Sequence, residues 1–171
     1  QKMEAQPKIA IVILNYNGKH WLEKFLHDVV AKSPKADIYI ADNASTDQSV
    51  SYLQEKHPGI NLIRNANNNG YAGGYNEALE RICADYYILL NSDVQVTENW
   101  IKPVIKIMQE DDNIAACQPK IIDYNNKKRF EYAGASGGFI DNLGYPFCRG
   151  RVFEFLEEDK GQYNDAIEVF W

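Results

Sequence analysis

The sequence predicts an α/β fold, a mostly parallel sheet with helices on both faces. Two observations carry this expectation. Strand-like and helix-like segments alternate from Ile9 to Gln118, the rhythm of parallel strands joined by right-handed helical crossovers. The runs Ile9-Ala10-Ile11-Val12-Ile13-Leu14 and Tyr86-Tyr87-Ile88-Leu89-Leu90 are apolar without alternation, as strands buried on both faces are.

Residues 1–8 read as a loose leader before the first strand. That strand ends in the turn Asn15-Tyr16-Asn17-Gly18, and Trp21, Leu22, Phe25, Leu26, Val29 and Val30 then recur at helical spacing until Ser33-Pro34. Asp37 to Ala41 is a short second strand, ending at Asp42-Asn43. Ser45 and Gln48 have capping-box spacing, which predicts a helix from Thr46 to Lys56, closed by Pro58-Gly59. Ile60 to Arg64 is a third strand. The Asn-rich turn 65–70 leads into a third helix whose buried face is Tyr75, Ala78, Leu79, Ile82 and Cys83. After the fourth strand, Ile101, Val104, Ile105 and Met108 are spaced for a helix starting near Asn99, which keeps Pro103 in the first turn or so. Ile114 to Gln118 reads as a fifth strand. Beyond Pro119 the alternation stops, and aromatic and glycine-rich residues suit strands and loops at the sheet edge, where an acceptor would lie. The organisation expected is therefore a leader (1–8), a ligand-binding core (9–118) and an acceptor-side segment of the same domain (119–171).

The bulk numbers narrow the function. With 171 residues, 45% of them hydrophobic, the chain is long enough for one domain with a core. A net charge of −6 and no basic run argue against a nucleic-acid partner. The three cysteines (Cys83, Cys117, Cys148) form no CxxC pair, and the apolar neighbours of Cys83 and Cys117 point to reduced core thiols in a cytoplasmic protein. No apolar run is long enough to span a membrane, Ile9 to Leu14 being only strand length.

Polar clusters end three of the predicted strands: Asn15-Tyr16-Asn17, Asp42-Asn43 and Asn91-Ser92-Asp93. All fall at carboxyl ends, hence on one edge, where open α/β sheets bind ligands. Taken singly, each is an ordinary turn, and Asp93 could simply close an Asx-turn. The turn after the first strand has one glycine, Gly18, too few for a dinucleotide fingerprint, and no Walker A sequence exists. A nucleoside diphosphate fits better. Asp42 would accept from a base N–H, Asn15 and Tyr16 would line base and ribose, and Asp93 would hold Mg²⁺ or Mn²⁺ on the diphosphate. The ion is physically needed, since a carboxylate about 4 Å from a phosphate charge is repelled by about 4 kcal/mol at an effective dielectric of 20.

At this point four ordered motifs resemble a known family. Ile-Leu-Asn-Tyr-Asn-Gly (13–18), Asp-Asn-Ala-Ser-Thr-Asp (42–47), Asn-Asn-Gly-Tyr-Ala-Gly-Gly-Tyr-Asn (68–76) and Leu-Leu-Asn-Ser-Asp (89–93) resemble the family 2 glycosyltransferases of GT-A, Rossmann-like fold, and within them the bacterial rhamnosyltransferase-like group. The resemblance implies an inverting transfer of a sugar from a UDP- or dTDP-type donor to a glycan or lipid-linked acceptor, in surface polysaccharide synthesis. It implies Asp42 at the base, Asn15, Tyr16 and Asn43 around the nucleoside, and Asp93 as the metal-binding acid of a DxD-type motif whose first acid is here Asn91, itself expected to bind the donor nucleotide. It draws Asn69 and Gly74 of the glycine-rich turn toward the donor; by themselves those residues equally make a plain turn. In the family the catalytic base lies beyond a segment like Ile167 to Trp171. The chain is therefore expected to be the N-terminal part of a longer enzyme, its general base beyond Trp171, binding donor without transferring sugar. Its aromatic tail offers a contact to another copy. The location implied is cytoplasmic, with peripheral attachment to the inner membrane face compatible with it. Two other readings stay open: a non-catalytic sugar-nucleotide-binding module, and a sugar nucleotidyltransferase, which the lack of a basic glycine-rich loop disfavours. Arg149 and Arg151 are either diphosphate contacts or surface cations, and the polar run 157–161 is expected to be mobile.

Overall fold

The computed structural model describes residues 6–133, 136–165 and 167–169. Phe170 and Trp171 of the expected aromatic tail, and residues 1–5 of the leader, lie outside these. The chain forms two compact units, residues 1–100 and 101–171. Among the described residues, no helix is long and apolar enough to cross a membrane.

In the first unit β1 (Ile9–Asn15), β2 (Asp37–Asp42), β3 (Asn61–Arg64) and β4 (Tyr86–Asn91) form a parallel sheet of order β3-β2-β1-β4. Helices α1 (Lys19–Lys32), α2 (Ser49–Lys56) and α3 (Gly70–Leu79) make the connections. The α/β expectation holds. Strand order then decides which face each helix covers. The steps β1 to β2 and β2 to β3 run in one direction, and β3 to β4 runs back across the sheet. Right-handed crossovers therefore put α1 and α2 on one face and α3 on the other. Side-chain rows agree. Ala10, Val12 and Ala41 cluster with Tyr75, Ala78 and Ile82 of the α3 side. The alternate row, Ile11, Ile13 and Ile40, is buried, as are Leu22, Phe25, Leu26 and Val29 of α1 and Leu53 of α2.

Four local expectations are corrected. No capping box starts α2. Its first residue is Ser49, because Ser45 Oγ accepts instead from Asn17 N and Asn15 Nδ2 at 2.9 and 3.1 Å. β4 is an edge strand rather than a doubly buried one, with Tyr87 and Leu89 left 42% and 49% exposed. The run Ile114 to Gln118 forms no strand. It holds one large β-branched residue and two alanines, a poor case for strand formation. Finally, Cys83 and Cys117 are exposed rather than core thiols, and only Cys148 is buried. For Cys83 the reason is that α3 ends at Leu79, so the helical spacing that would have turned it inward is lost.

The second unit opens with α4 (Ile101–Glu110), followed by a small antiparallel sheet, β5 (Gly138–Ile140), β6 (Pro146–Cys148), β7 (Arg151–Val152) and β8 (Phe155–Leu156), in sequential order. Its core is Phe130 and Cys148 with Ile122 and Tyr163 against them. Gly150, at φ +85°, lets the backbone close on Phe130, since a Cβ there would stand 2.7 Å from the ring. The polar run 157–161 is tied down rather than loose. Glu157 N donates to Gly150 O at 2.9 Å, Asp159 N donates to Lys128 O at 2.8 Å, and the Asp159 carboxylate meets Lys120 at 2.6 Å.

One bracket seats α3 on the sheet. Asn43 Nδ2 donates to Asn68 Oδ1 (2.7 Å) and Gly70 O (3.1 Å), while its Oδ1 accepts from Asn65 Nδ2 (3.2 Å), which also donates to Gly74 O (3.0 Å). Gly74 is needed at this contact because a Cβ would lie 2.8 Å from Leu14 and 3.0 Å from the Asn43 amide. Replacing Asn43 by alanine removes a partner of the buried Asn65 amide and the two bonds to Asn68 and Gly70. We expect a loss of about 2–3 kcal/mol in urea unfolding, larger than surface substitutions on α3 produce.

Candidate functional site

The strand order reverses between β1 and β4, and the carboxyl ends beside such a reversal are where open parallel sheets take ligands. The turns 15–18 and 91–93 lie at these ends. They meet at Gly18, where an added Cβ would stand 2.6 Å from Asn15 Oδ1 and 3.7 Å from Ser92 Oγ.

The wall on the α1 and α2 side is built around a buried carboxylate. Asn15 and Asp42 are partners in the β1–β2 register and are each 1% exposed. Asn15 Nδ2 donates to Asp42 Oδ1 at 3.0 Å, and Ser45 N donates to Asp42 Oδ2 at 3.1 Å. Both carboxylate oxygens thus have a donor, as a buried charge requires. Asp42 also sets the amide of Asn15, whose Nδ2 must face it. Asn15 Oδ1 is then left without a hydrogen-bond partner, closed over by Gly18.

Two residues that sequence reasoning did not select finish this wall. Asn17, at φ +51°, accepts from Thr46 N (2.7 Å) and Asp47 N (3.2 Å) through Oδ1. Asp47 accepts from Lys19 N (3.2 Å) and Ser49 N (2.9 Å), the first residues of α1 and α2. Burial alone would raise the Asp47 pKa, but hydrogen bonds from Ser49 and Lys19 outweigh it and hold the carboxyl below its ordinary value. The signal in the sequence was Asp47 two residues before Ser49, a local cap overlooked because Ser45 and Gln48 matched a better-known pattern.

On the α3 side, Asn43 is committed to the bracket described above, and Asn69 Nδ2 donates to Glu77 at 3.1 Å. Gly74 is buried under Leu14 and Asn43. Asn91 is exposed and accepts at Oδ1 from the Tyr71 hydroxyl at 3.3 Å. Tyr16 is 51% exposed. Asp93 stands on the exposed turn after β4, and its carboxylate has no hydrogen bond or ion pair among the described residues. The structure thus brings Asn15, Asp42, Asn91 and Asp93 to one sheet edge, while Asn43, Asn69 and Gly74 serve the packing and start of α3.

No cage of three His, Cys, Asp or Glu side chains exists among the described residues. One uncommitted carboxylate on an exposed turn still fits Mg²⁺ or Mn²⁺, which keep several waters and take one or two protein carboxylates together with substrate phosphates. Arg149 and Arg151 have partners within their own unit: Arg149 lies over Tyr163 and bonds Ser136 O, and Arg151 lies over Tyr132.

Comparison with known proteins bears on this edge. The family model described as glycosyl transferase family 2 matches residues 10–169. A putative teichuronic acid biosynthesis glycosyltransferase, TuaG of Bacillus subtilis, is 28% identical over 109 residues, 61% of this chain and 43% of that protein. An N-acetylgalactosaminyltransferase 6 of Drosophila melanogaster is 24% identical over 197 residues, 96% of this chain and 30% of that protein. Among solved structures, the Pyrobaculum calidifontis mannosyltransferase PcManGT, in complex with GDP-Man and Mn²⁺, matches with a TM-score of 0.55 at 19% identity, over 68% of this chain and 34% of that one. Staphylococcus aureus TarS 1–349 in complex with UDP-GlcNAc matches with a TM-score of 0.53 at 16% identity, over 68% of this chain and 38% of that one. These structural likenesses concern the fold. The chain spans less than half the length of the relatives it matches.

The Asp47 cap gives a pH-dependent expectation. Its folded pKa lies below the unfolded value, so its stabilisation is present above the unfolded pKa and is lost as pH falls through the folded one. Asp47→Ala should cost about 1 kcal/mol near neutral pH. Urea titrations of the two proteins should converge as pH drops below the ordinary carboxylate range.

Proposed function

Since the chain belongs to glycosyl transferase family 2, we propose that it supplies the donor-binding part of a metal-dependent, inverting glycosyltransferase that uses a nucleoside diphosphate sugar. The observation that carries this reading is the Asp93 carboxylate, exposed just past the carboxyl end of β4, the strand at the reversal of order, and without a hydrogen bond or ion pair among the described residues. A Mg²⁺ or Mn²⁺ ion held by Asp93 would neutralise charge on a leaving diphosphate. The protein's own residues bind and orient. Tyr16 offers an exposed ring to the nucleoside. Asp42 keeps lone pairs beyond those given to Asn15 and Ser45, since a carboxylate offers roughly four acceptor sites. A base N–H would meet those, and at 1% exposure the contact requires the overlying side chains to part.

The rhamnosyltransferase-like placement and a glycan or lipid-linked acceptor of surface polysaccharide synthesis extend the same reading. The TuaG relative, named for teichuronic acid biosynthesis, supports the polysaccharide part. The same reading extends to a cytoplasmic location, with peripheral attachment to the inner membrane face compatible with it. The general base is assigned to none of these residues. Of the carboxylates at the sheet edge, Asp42 and Asp47 are engaged in hydrogen bonds and Asp93 is given to the metal. Of the acids in the polar run, Glu157 accepts from Tyr163 and Gln162, and Asp159 is paired with Lys120.

A thermal-shift series with UDP, dTDP and GDP, with and without Mn²⁺, tests the donor site. A binding nucleotide at one hundred times its Kd should stabilise the fold by about 2.7 kcal/mol, and a flat series would refute the proposal. Asp93→Asn should remove the metal-dependent share of nucleotide affinity, whereas Asp42→Ala should weaken binding with or without metal. Steady-state assays should find little sugar transfer by this chain, because the reading leaves no general base among the carboxylates at the sheet edge, and such a base contributes about 10²–10⁴-fold. Turnover matching that of a longer relative would place the base within these residues.

A further inference from the structure

Tyr71 and Asn91 form a pair to which the donor-site reading gives no division of labour. Tyr71 lies in the first turn of α3 and is 61% exposed, so burial does not hold its ring. The ring is held by Tyr75 one helical turn on, with centroids 5.0 Å apart and planes at 71°, an edge-to-face contact. Tyr75 is itself buried, and its hydroxyl donates to Leu90 O at 3.0 Å. Burial, with Tyr71 nearby, raises the pKa of Tyr75, so that hydroxyl keeps its proton and stays a donor. The Tyr71 hydroxyl donates to Asn91 Oδ1 at 3.3 Å. Two tyrosines four residues apart on α3 therefore grip consecutive residues at the end of β4, one by its main chain and the next by its side chain.

The grip on Asn91 has a chemical consequence. A carboxamide carries its acceptor oxygen and its two N–H donors on opposite sides. With Oδ1 turned to Tyr71, Nδ2 points away, and it donates to no protein group among the described residues. A divalent cation would take the oxygen, whereas a phosphate oxygen would take the N–H. We infer that Tyr71 is a positioning residue that makes Asn91 a hydrogen-bond donor to the diphosphate of the nucleotide, leaving Asp93 as the only metal ligand of the turn. The inference rests on the donor-site reading and adds to it that nucleotide affinity has two separable shares. Asn91, oriented by Tyr71, carries a share that needs no metal, and Asp93 carries the share that does.

The test is calorimetric titration of UDP, or whichever nucleoside diphosphate binds best, into wild type, Tyr71→Phe, Asn91→Ala, the double variant and Asn91→Asp, each in EDTA and in Mn²⁺. Tyr71→Phe removes one exposed hydroxyl, and a melting curve checks each fold; Asn91→Ser replaces Asn91→Ala if the latter does not fold. In EDTA, Tyr71→Phe should weaken binding about three- to tenfold, the loss expected for one oriented hydrogen bond. In Mn²⁺ the loss should be smaller, because the released Oδ1 can turn to the ion. The double variant should bind like Asn91→Ala alone, since Tyr71 acts through Asn91. Asn91→Asp should weaken binding in EDTA and steepen the response to Mn²⁺. If wild type binds nucleotide but Tyr71→Phe binds equally well, or weakens binding by the same factor with Asn91 absent, the positioning role is overturned and the donor site stands. If wild type binds no nucleoside diphosphate in either buffer, the donor-site reading fails and this inference fails with it.

Discussion

A carboxylate removed from water must find donors, and Asp42 finds them in Asn15 Nδ2 and Ser45 N. Much of the carboxyl edge of the sheet follows from that requirement. Asn15 is turned to serve Asp42, so its oxygen is left facing Gly18, the one residue type whose backbone can close over it at that distance. Ser45, drawn in to Asp42, gives its hydroxyl to the β1 turn instead of to a helix cap. The start of α2 then moves to Ser49, and Asp47 supplies the N-terminal bonds for both α1 and α2. A buried charge of this kind adds little net stability, but loss of either partner is costly, so the arrangement serves geometry more than strength.

The opposite wall depends on how closely α3 can approach. The crossover from β3 to β4 carries the chain back over β2 and β1, and the helix that makes it packs against strands already complete. Gly74 permits the approach, and the Asn43–Asn65 bracket holds it. Among the described residues the edge strand β4 has one strand neighbour, and its end is also held by Tyr71 and Tyr75 of α3. One wall is thus set by a buried charge and the other by close packing. The residues left exposed at this edge include Tyr16, Asn91 and Asp93.

Membership of glycosyl transferase family 2 makes sense of this contrast between committed and uncommitted groups. On the proposed reading, the diphosphate would bring its cation with it; among the described residues there is no cage of three His, Cys, Asp or Glu side chains. In the second unit the acidic run 157–161 is held by backbone bonds and by the Lys120–Asp159 pair, and the two arginines lie over Tyr163 and Tyr132. Those cations and acids support the small antiparallel sheet and its Phe130 core.

The parallel class, four of its strands and the placing of polar turns at their carboxyl ends were legible in the residues, because apolar runs and helical spacing mark strands and helices, although the run 86–90 overstated the burial of β4. The position of Asp93 on the turn after the fourth strand was legible as well. What the sequence could not determine was which polar side chain at that edge is free. Asn43, Asn69 and Asp42 look alike in a linear reading, yet the fold commits Asn43 to α3, Asn69 to Glu77 and Asp42 to Asn15. Hydrogen bonds between residues 25 or more positions apart, such as Asn43 to Asn68 and Asn15 to Asp42, leave no local pattern. The edge position of β4, the loss of a strand at 114–118 and the exposure of Cys83 have the same origin. Each depends on which neighbours the chain brings alongside, and only tertiary structure decides that.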